Sequence, residues 1–192
     1  LGLQEDGCIL RSDVVWEKPN VTTENVKDRP TKSHEYVFML AKSERYRFDR
    51  DAVREPHTMK PQRRLTQRSG DRVEAMRGDK KHWFRMREEE GVDGNPKGRN
   101  VRTVWSIRTR PYGKGHYAAF PPELAEKCVL AGCPEGGLVL DPFFGAGTTG
   151  LVSVELERRF IGVEINPEYA EIARKRIFEG TGRSVSTSVS SG

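Results

Sequence analysis

Gly137-Leu-Val-Leu-Asp-Pro-Phe-Phe-Gly-Ala-Gly-Thr-Thr-Gly150 decides how this chain is read. A short apolar run ends in Asp141-Pro142, passes through a glycine-rich loop and opens an amphipathic helix. Nineteen residues after Gly145 stands Glu164, at the end of a second apolar run, Phe160-Ile-Gly-Val-Glu-Ile165. Strand, glycine loop, helix, strand and terminal acid together describe a half-site for a nucleoside cofactor. The glycines let the backbone approach a ligand closely, and the acid accepts hydrogen bonds from ribose hydroxyls.

The neighbouring elements follow from periodicity and punctuation. Residues 7–16 read as a buried strand stopped by Lys18-Pro19-Asn20, and residues 34–42 as a second strand. Glu44 to Asp49 alternates and suits a hairpin partner for it. A strand pattern returns at Val101–Ile107. Pro121-Pro122 then opens a helix running to about Ala131, with Leu124, Cys128 and Ala131 on one face. Strand 138–141, helix 148–157, strand 160–165 and helix 167–179 complete the order. The last helix sets Tyr169, Ile172, Ala173, Arg176 and Ile177 at helical spacing, with its acids early and its bases late.

Composition bounds the class. With 192 residues the chain can bury one sizeable core, and no apolar run approaches the roughly 20 residues of a membrane span. No secretory signal is visible, and a chain that starts at Leu1 rather than Met reads as a fragment. The three cysteines lack metal-ligand spacing, so they suit a reduced compartment as small buried hydrophobes, and no metal site is expected.

Charge is unevenly spread. Arg50 to Arg110 holds 17 Lys and Arg against 9 Asp and Glu, a balance of +8, so the remainder carries −3 of the total +5. Such a block suits either a polyanion partner or a solvated loop without a core of its own.

The glycine loop formally matches the dinucleotide pattern, but its context argues against a nicotinamide. Asp141 would repel a pyrophosphate and suits a ligand with an amine end. Only 28 residues follow Glu164, so the other strands of the sheet must precede the loop, and the sheet is circularly permuted.

In that order, with a basic insertion between the halves, the chain resembles bacterial and phage DNA amino-methyltransferases (N6-adenine or N4-cytosine), in the permutation class whose S-adenosylmethionine region is C-terminal. Val14-Val-Trp-Glu-Lys-Pro-Asn20 and Asp28-Arg-Pro-Thr-Lys-Ser-His-Glu-Tyr36 resemble late segments of the catalytic half. Gly115-His-Tyr-Ala-Ala-Phe-Pro-Pro122 resembles the segment before the cofactor loop. Asp141 to Thr149 is similar to that loop, and Arg159 to Tyr169 to the second cofactor motif.

The resemblance implies an α/β, Rossmann-like, circularly permuted methyltransferase sheet. Residues 1–49 would be the end of the catalytic half, 50–100 a basic target-recognition insertion, 101–179 the cofactor half and 180–192 a disordered tail. It implies S-adenosyl-L-methionine as cofactor, held by Phe120, Asp141, Phe143, Gly145, Gly147, Thr148, Thr149 and Glu164. Asp141 would face the methionine amino group or cap the loop. Thr148 and Thr149 would donate to the carboxylate or act as a simple N-cap. Of Phe143 and Phe144, one would line the pocket and the other pack in the core.

Double-stranded DNA is the implied partner. Arg63, Arg64, Arg68, Arg72, Lys80, Lys81, Arg85 and Arg87 are candidate phosphate contacts, and Trp83 and Phe84 would wedge beside a displaced base or anchor the insertion. A homodimer, a cognate restriction enzyme and the cytoplasm of a bacterial or phage-infected cell belong to the same expectation. His116 is not read as catalytic, and His34 reads as structural.

The family's Asp/Asn/Ser-Pro-Pro-aromatic catalytic motif does not occur: the only Pro-Pro lies in Phe120-Pro-Pro-Glu123. It is expected upstream of residue 7, so catalytic residues are unassigned. A DNA-binding remnant without activity and an RNA methyltransferase stand as alternatives.

Overall fold

The structure is a computed structural model that describes residues 2–21, 25–56, 95–110, 120–186 and 188. The chain divides into two compact units: Leu1–Asp49 with Arg102–Gly192, and Arg50–Val101.

In the first unit the order is α1 (Gly2–Glu5), β1 (Ile9–Glu17), β2 (His34–Ala41), β3 (Val104–Ser106), α2 (Pro122–Gly132), β4 (Leu138–Asp141), α3 (Thr148–Glu155), β5 (Arg159–Gly162) and α4 (Pro167–Thr181). The described residues form a three-stranded sheet ordered β2-β1-β3 and a two-stranded sheet β4-β5. β1 runs antiparallel to β2 with a register shift between Leu10 and Ser12, and parallel to β3 with Trp16 opposite Trp105.

β1, predicted as a buried strand, buries only Val14 and Trp16; Leu10 is exposed. The bulge reorients its first half, while its second half pairs on both sides. The Trp16 indole N–H donates to the Ile107 carbonyl at 2.8 Å, which satisfies the one polar atom of that buried ring.

Residues 44–49 do not add the expected hairpin strand. β2 takes β1 as its antiparallel partner, and the charged segment turns away. The Ser43 hydroxyl donates to the Arg45 carbonyl at 2.6 Å, Arg47 pairs with Asp49 at 3.1 Å, and the Asp49 N–H donates to Ala131 at 2.8 Å.

β4 and β5 are parallel, with Asp141 opposite Gly162, and α3 is the crossover between them. A connection of this length between parallel strands needs a helix. α2 packs beside α3 through Ala125, Val129 and Val152, with Cys133, Val139 and Leu156 closing the cluster. α4 starts at the Asn166 cap, whose side chain accepts the Glu168 N–H at 2.9 Å, with Pro167 at the first position. It runs past the expected end at 179 to Thr181 and stops at Gly182, which takes the left-handed conformation (φ 68°). The nucleoside half therefore comes last in chain order, after β1–β3.

In the second unit the described residues include one isolated antiparallel bridge. Glu55 and Arg99 bridge antiparallel, exchanging backbone hydrogen bonds of 3.0 and 2.9 Å. The Arg54 guanidinium donates to Asp51, Gly98 and Asn100 at 2.7–2.9 Å. Arg54 and then Lys97 hold the Asp51 carboxyl pKa below its ordinary value.

Candidate functional site: the glycine loop between two carboxylates

β4 ends at Asp141 and β5 ends just before Val163, so two acids, Asp141 and Glu164, stand at neighbouring strand ends. The loop joining β4 to α3 is laced to the second strand's extension. The Val163 N–H donates to the Asp141 carbonyl and the Phe144 N–H to the Val163 carbonyl, both at 2.9 Å. Gly145 and Gly147 both take positive φ, 51° and 76°, which glycine adopts without a Cβ penalty. The N-cap of α3 is Gly147 and carries no side-chain cap, so neither threonine is a simple N-cap.

Asp141 organises the loop's front. One carboxylate oxygen accepts the Phe143 N–H at 3.0 Å and the other the Thr149 hydroxyl at 2.6 Å. Glu164 spans the loop and the start of α4: its oxygens accept the Gly145 N–H at 2.6 Å and the Asn166 N–H at 2.9 Å. Each carboxylate oxygen has two lone pairs, so both acids keep acceptor capacity for a ligand while holding the backbone. Both side chains are half-buried.

Beside Asp141 a cavity of about 440 Å³ runs along α2; Phe120, Leu124, Cys128, Leu140, Asp141 and Thr149 are among its lining. Its polar end is Asp141 with Thr149, and the rest is apolar. Glu164 stands outside this lining. The Cys128 residue is open to solvent, yet the apolar groups around its sulfur push the thiol pKa up. A thiol held protonated is a poor nucleophile. Cys128 is nevertheless not the buried residue expected: its helix buries Leu124, Ala125 and Val129 instead, and Cys8 and Cys133 are only half-buried.

The expected site residues therefore divide. Asp141, Thr149 and Phe120 meet at the cavity, while Gly145 and Glu164 meet across the loop. Phe143 is 88% exposed, whereas Phe144 stacks on Phe160 with centroids 5.4 Å apart, so Phe144 is the packing partner of the two. Thr148 is turned to the back of the loop, buried, where its hydroxyl oxygen accepts from Arg176 at 3.0 Å.

Gly150 and Gly162 make room for the Phe144 ring; a Cβ on either would collide with it. The pattern read from sequence did not single out these two glycines for packing, though their place on facing elements beside an aromatic pair was the available signal. Arg63, Arg64, Arg68, Arg72, Lys80, Lys81, Arg85, Arg87, Trp83, Phe84 and His116 lie outside the described residues. His34 is described, edge-on to Tyr36 at 5.2 Å.

The donor set fits a sulfonium nucleoside: acceptors for a ribose diol at Glu164, a carboxylate for an ammonium at Asp141, and N–H groups at the start of α3 for a carboxylate. Fold and site together define an α/β protein with a nucleoside-cofactor loop at parallel strand ends. A family model described as DNA methylase matches residues 1–175, and the chain belongs to that family.

The chain is 43% identical over 175 residues to the type II methyltransferase M.Cfr9I of Citrobacter freundii, covering 91% of this chain and 46% of the relative. It is 43% identical over the same length to M.SmaI of Serratia marcescens, covering 91% and 48%. The chain thus spans about half the length of the curated relatives it matches. Two solved structures share its fold. The M1.HpyAVI–SAM complex has a TM-score of 0.61 at 22% identity, over 91% of this chain and 65% of that one. The PvuII DNA methyltransferase (cytosine-N4-specific) has a TM-score of 0.61 at 19% identity, over 94% and 59%.

Proposed function

We propose that this chain is the cofactor-binding and target-recognition part of a bacterial or phage site-specific DNA amino-methyltransferase. Its reaction is methyl transfer from S-adenosyl-L-methionine to the exocyclic nitrogen of adenine (N6) or cytosine (N4) in double-stranded DNA. The observation that carries this reading is the pair of acids, Asp141 and Glu164, held about one glycine loop by four hydrogen bonds of 2.6–3.0 Å. Membership of a DNA methylase family supports DNA rather than RNA as the acceptor.

The bound cofactor supplies an electrophilic methyl group on a sulfonium. This chain's residues bind and orient. Glu164 accepts from the ribose hydroxyls with the lone pairs its backbone contacts leave open. Asp141 pairs with the methionine ammonium, and Thr149 fixes the rotamer that points it there. The N–H groups opening α3 face the carboxylate, where the helix dipole favours an anion. Phe120 covers the apolar side from the segment before α2. Arg63, Arg64, Arg68, Arg72, Lys80, Lys81, Arg85 and Arg87 contact DNA phosphates. No Asp/Asn/Ser-Pro-Pro-aromatic segment occurs among the 192 residues, so no residue here is assigned to the transfer step.

Type II relatives support a cognate restriction enzyme encoded nearby. A homodimer and a cytoplasmic setting belong to the same reading; among the described residues no helix is long and apolar enough to cross a membrane.

Calorimetric titration of the 192-residue chain with S-adenosyl-L-methionine tests the site. Asp141→Ala and Glu164→Ala should each weaken binding about tenfold or more, the scale of one lost charge-assisted contact. Affinity unchanged in both folded variants, or preferential binding of NADH by the parent chain, sinks the reading.

A further inference from the structure

The acids hold the front of the glycine loop, but its back is held by a residue that belongs to neither cofactor motif. α4 carries Arg176 on the face shared by Ala173 and Ile177, both buried. An arginine one position before a fully buried isoleucine is out of place on an apolar face, unless its guanidinium has a partner there. It has such partners: Nη1 donates to the Ala146 carbonyl at 3.2 Å and to the Thr148 hydroxyl oxygen at 3.0 Å. These acceptors flank Gly147, where the chain turns into α3. Gly147 itself is pressed on α4 so closely that a Cβ would come within 2.7 Å of the Ala173 methyl.

We infer that Arg176 is a positioning residue for cofactor binding, clasping residues 146–148 onto α4 and so setting where the first N–H groups of α3 point. This rests on the S-adenosylmethionine reading of the loop. Two consequences follow from chemistry. Because the Thr148 oxygen accepts from Arg176, its hydroxyl hydrogen is left to point elsewhere. A cation behind the N-terminus of α3 adds to the positive end of the helix dipole, so its effect falls on the anionic end of the ligand. The adenosine end, held by Glu164, should feel it little.

The test compares two ligands on the 192-residue chain: S-adenosyl-L-methionine, and 5′-methylthioadenosine, which lacks the amino-acid portion. Arg176→Met keeps the aliphatic stem and removes both donors and the charge. It should weaken S-adenosylmethionine about tenfold, the scale of one charged hydrogen bond, and leave methylthioadenosine within about twofold. Arg176→Lys, a point charge without the fork, should recover part of the loss.

If Arg176→Met fails to fold, Thr148→Val carries the test, since it removes one acceptor at nearly constant shape; the same selective loss is expected. Equal losses for both ligands would make Arg176 merely structural and overturn the inference, as would unchanged affinity for both. A parent chain that binds neither ligand would instead overturn the cofactor reading on which the inference rests.

Discussion

Gly147 meets two demands that together only glycine satisfies. Its φ of 76° lies in the left-handed region, and the space where a side chain would begin is filled by Ala173. Gly147→Ala should therefore cost about 1–3 kcal/mol from the backbone alone, and the contact with α4 adds to it. Urea denaturation measures this directly: the midpoint should fall with an unchanged slope. The same substitution at Gly136, which has positive φ but open space around it, should cost less. Equal losses at the two sites would mean that packing on α4 contributes nothing. The positions of these glycines were legible in the sequence as a loop motif. Which of them answers to φ and which to packing was not, because the neighbour of Gly147 is Ala173 of α4, beyond both α3 and β5 in sequence.

At the level of elements, α4 organises the nucleoside half. Its inward face meets Gly147 through Ala173 and leaves the space beside Gly150 to Ile177, which has no exposed surface. Ile177→Ala should destabilise the protein by about 2–5 kcal/mol, as large-to-small changes at buried aliphatic sites do. Arg174→Ala, on the solvent face, removes an ion pair with Glu171 at 2.9 Å and should leave the thermal midpoint nearly unchanged, because exposed pairs are screened. If scanning calorimetry gave the two variants similar midpoints, the assignment of faces would be wrong.

Those faces could be read from spacing alone, and so could the existence of β1–β5 and of α2, α3 and α4 among the described residues. The ends were less legible. β5 stops at Gly162, although the apolar run continues to Ile165: the Val163 N–H still meets the end of β4 at Asp141, but its carbonyl accepts from Phe144 of the loop instead of a strand residue. The Arg176 clasp had only an indirect signal, an arginine in an apolar stripe; its partners lie 28 and 30 residues away in sequence.

For the whole molecule, the division of charge matters most. The excess of +8 lies between Arg50 and Arg110, while the remainder of the chain is slightly acidic at −3. The described residues of the second unit pair several of its cations internally: Arg54 and Lys97 with Asp51, and Arg99 with Glu55. In sequence, ten of the block's 17 Lys and Arg fall at residues 57–94. A composition-based reading can reach that far and no further, since base recognition depends on side-chain geometry and has no sequence code.

Phosphate contact does have a thermodynamic signature. Each phosphate neutralised releases counterions, so the logarithm of the DNA-binding constant should fall linearly with the logarithm of salt concentration, by about 0.9 per contact. The eight named residues set the bound: engagement of all eight gives a slope near −7. Fluorescence anisotropy of the 192-residue chain on duplex DNA, in saturating S-adenosyl-L-methionine, measures it. Replacing Arg63 and Arg64 together by Ala should make the slope shallower by about 2 and weaken all DNA sequences alike, because backbone contacts position without reading bases. A slope near zero in the parent chain would mean that the basic stretch does not meet phosphates. A slope that survives the double substitution would place the contacts on other cations, with Lys80, Lys81, Arg85 and Arg87 the next set to replace.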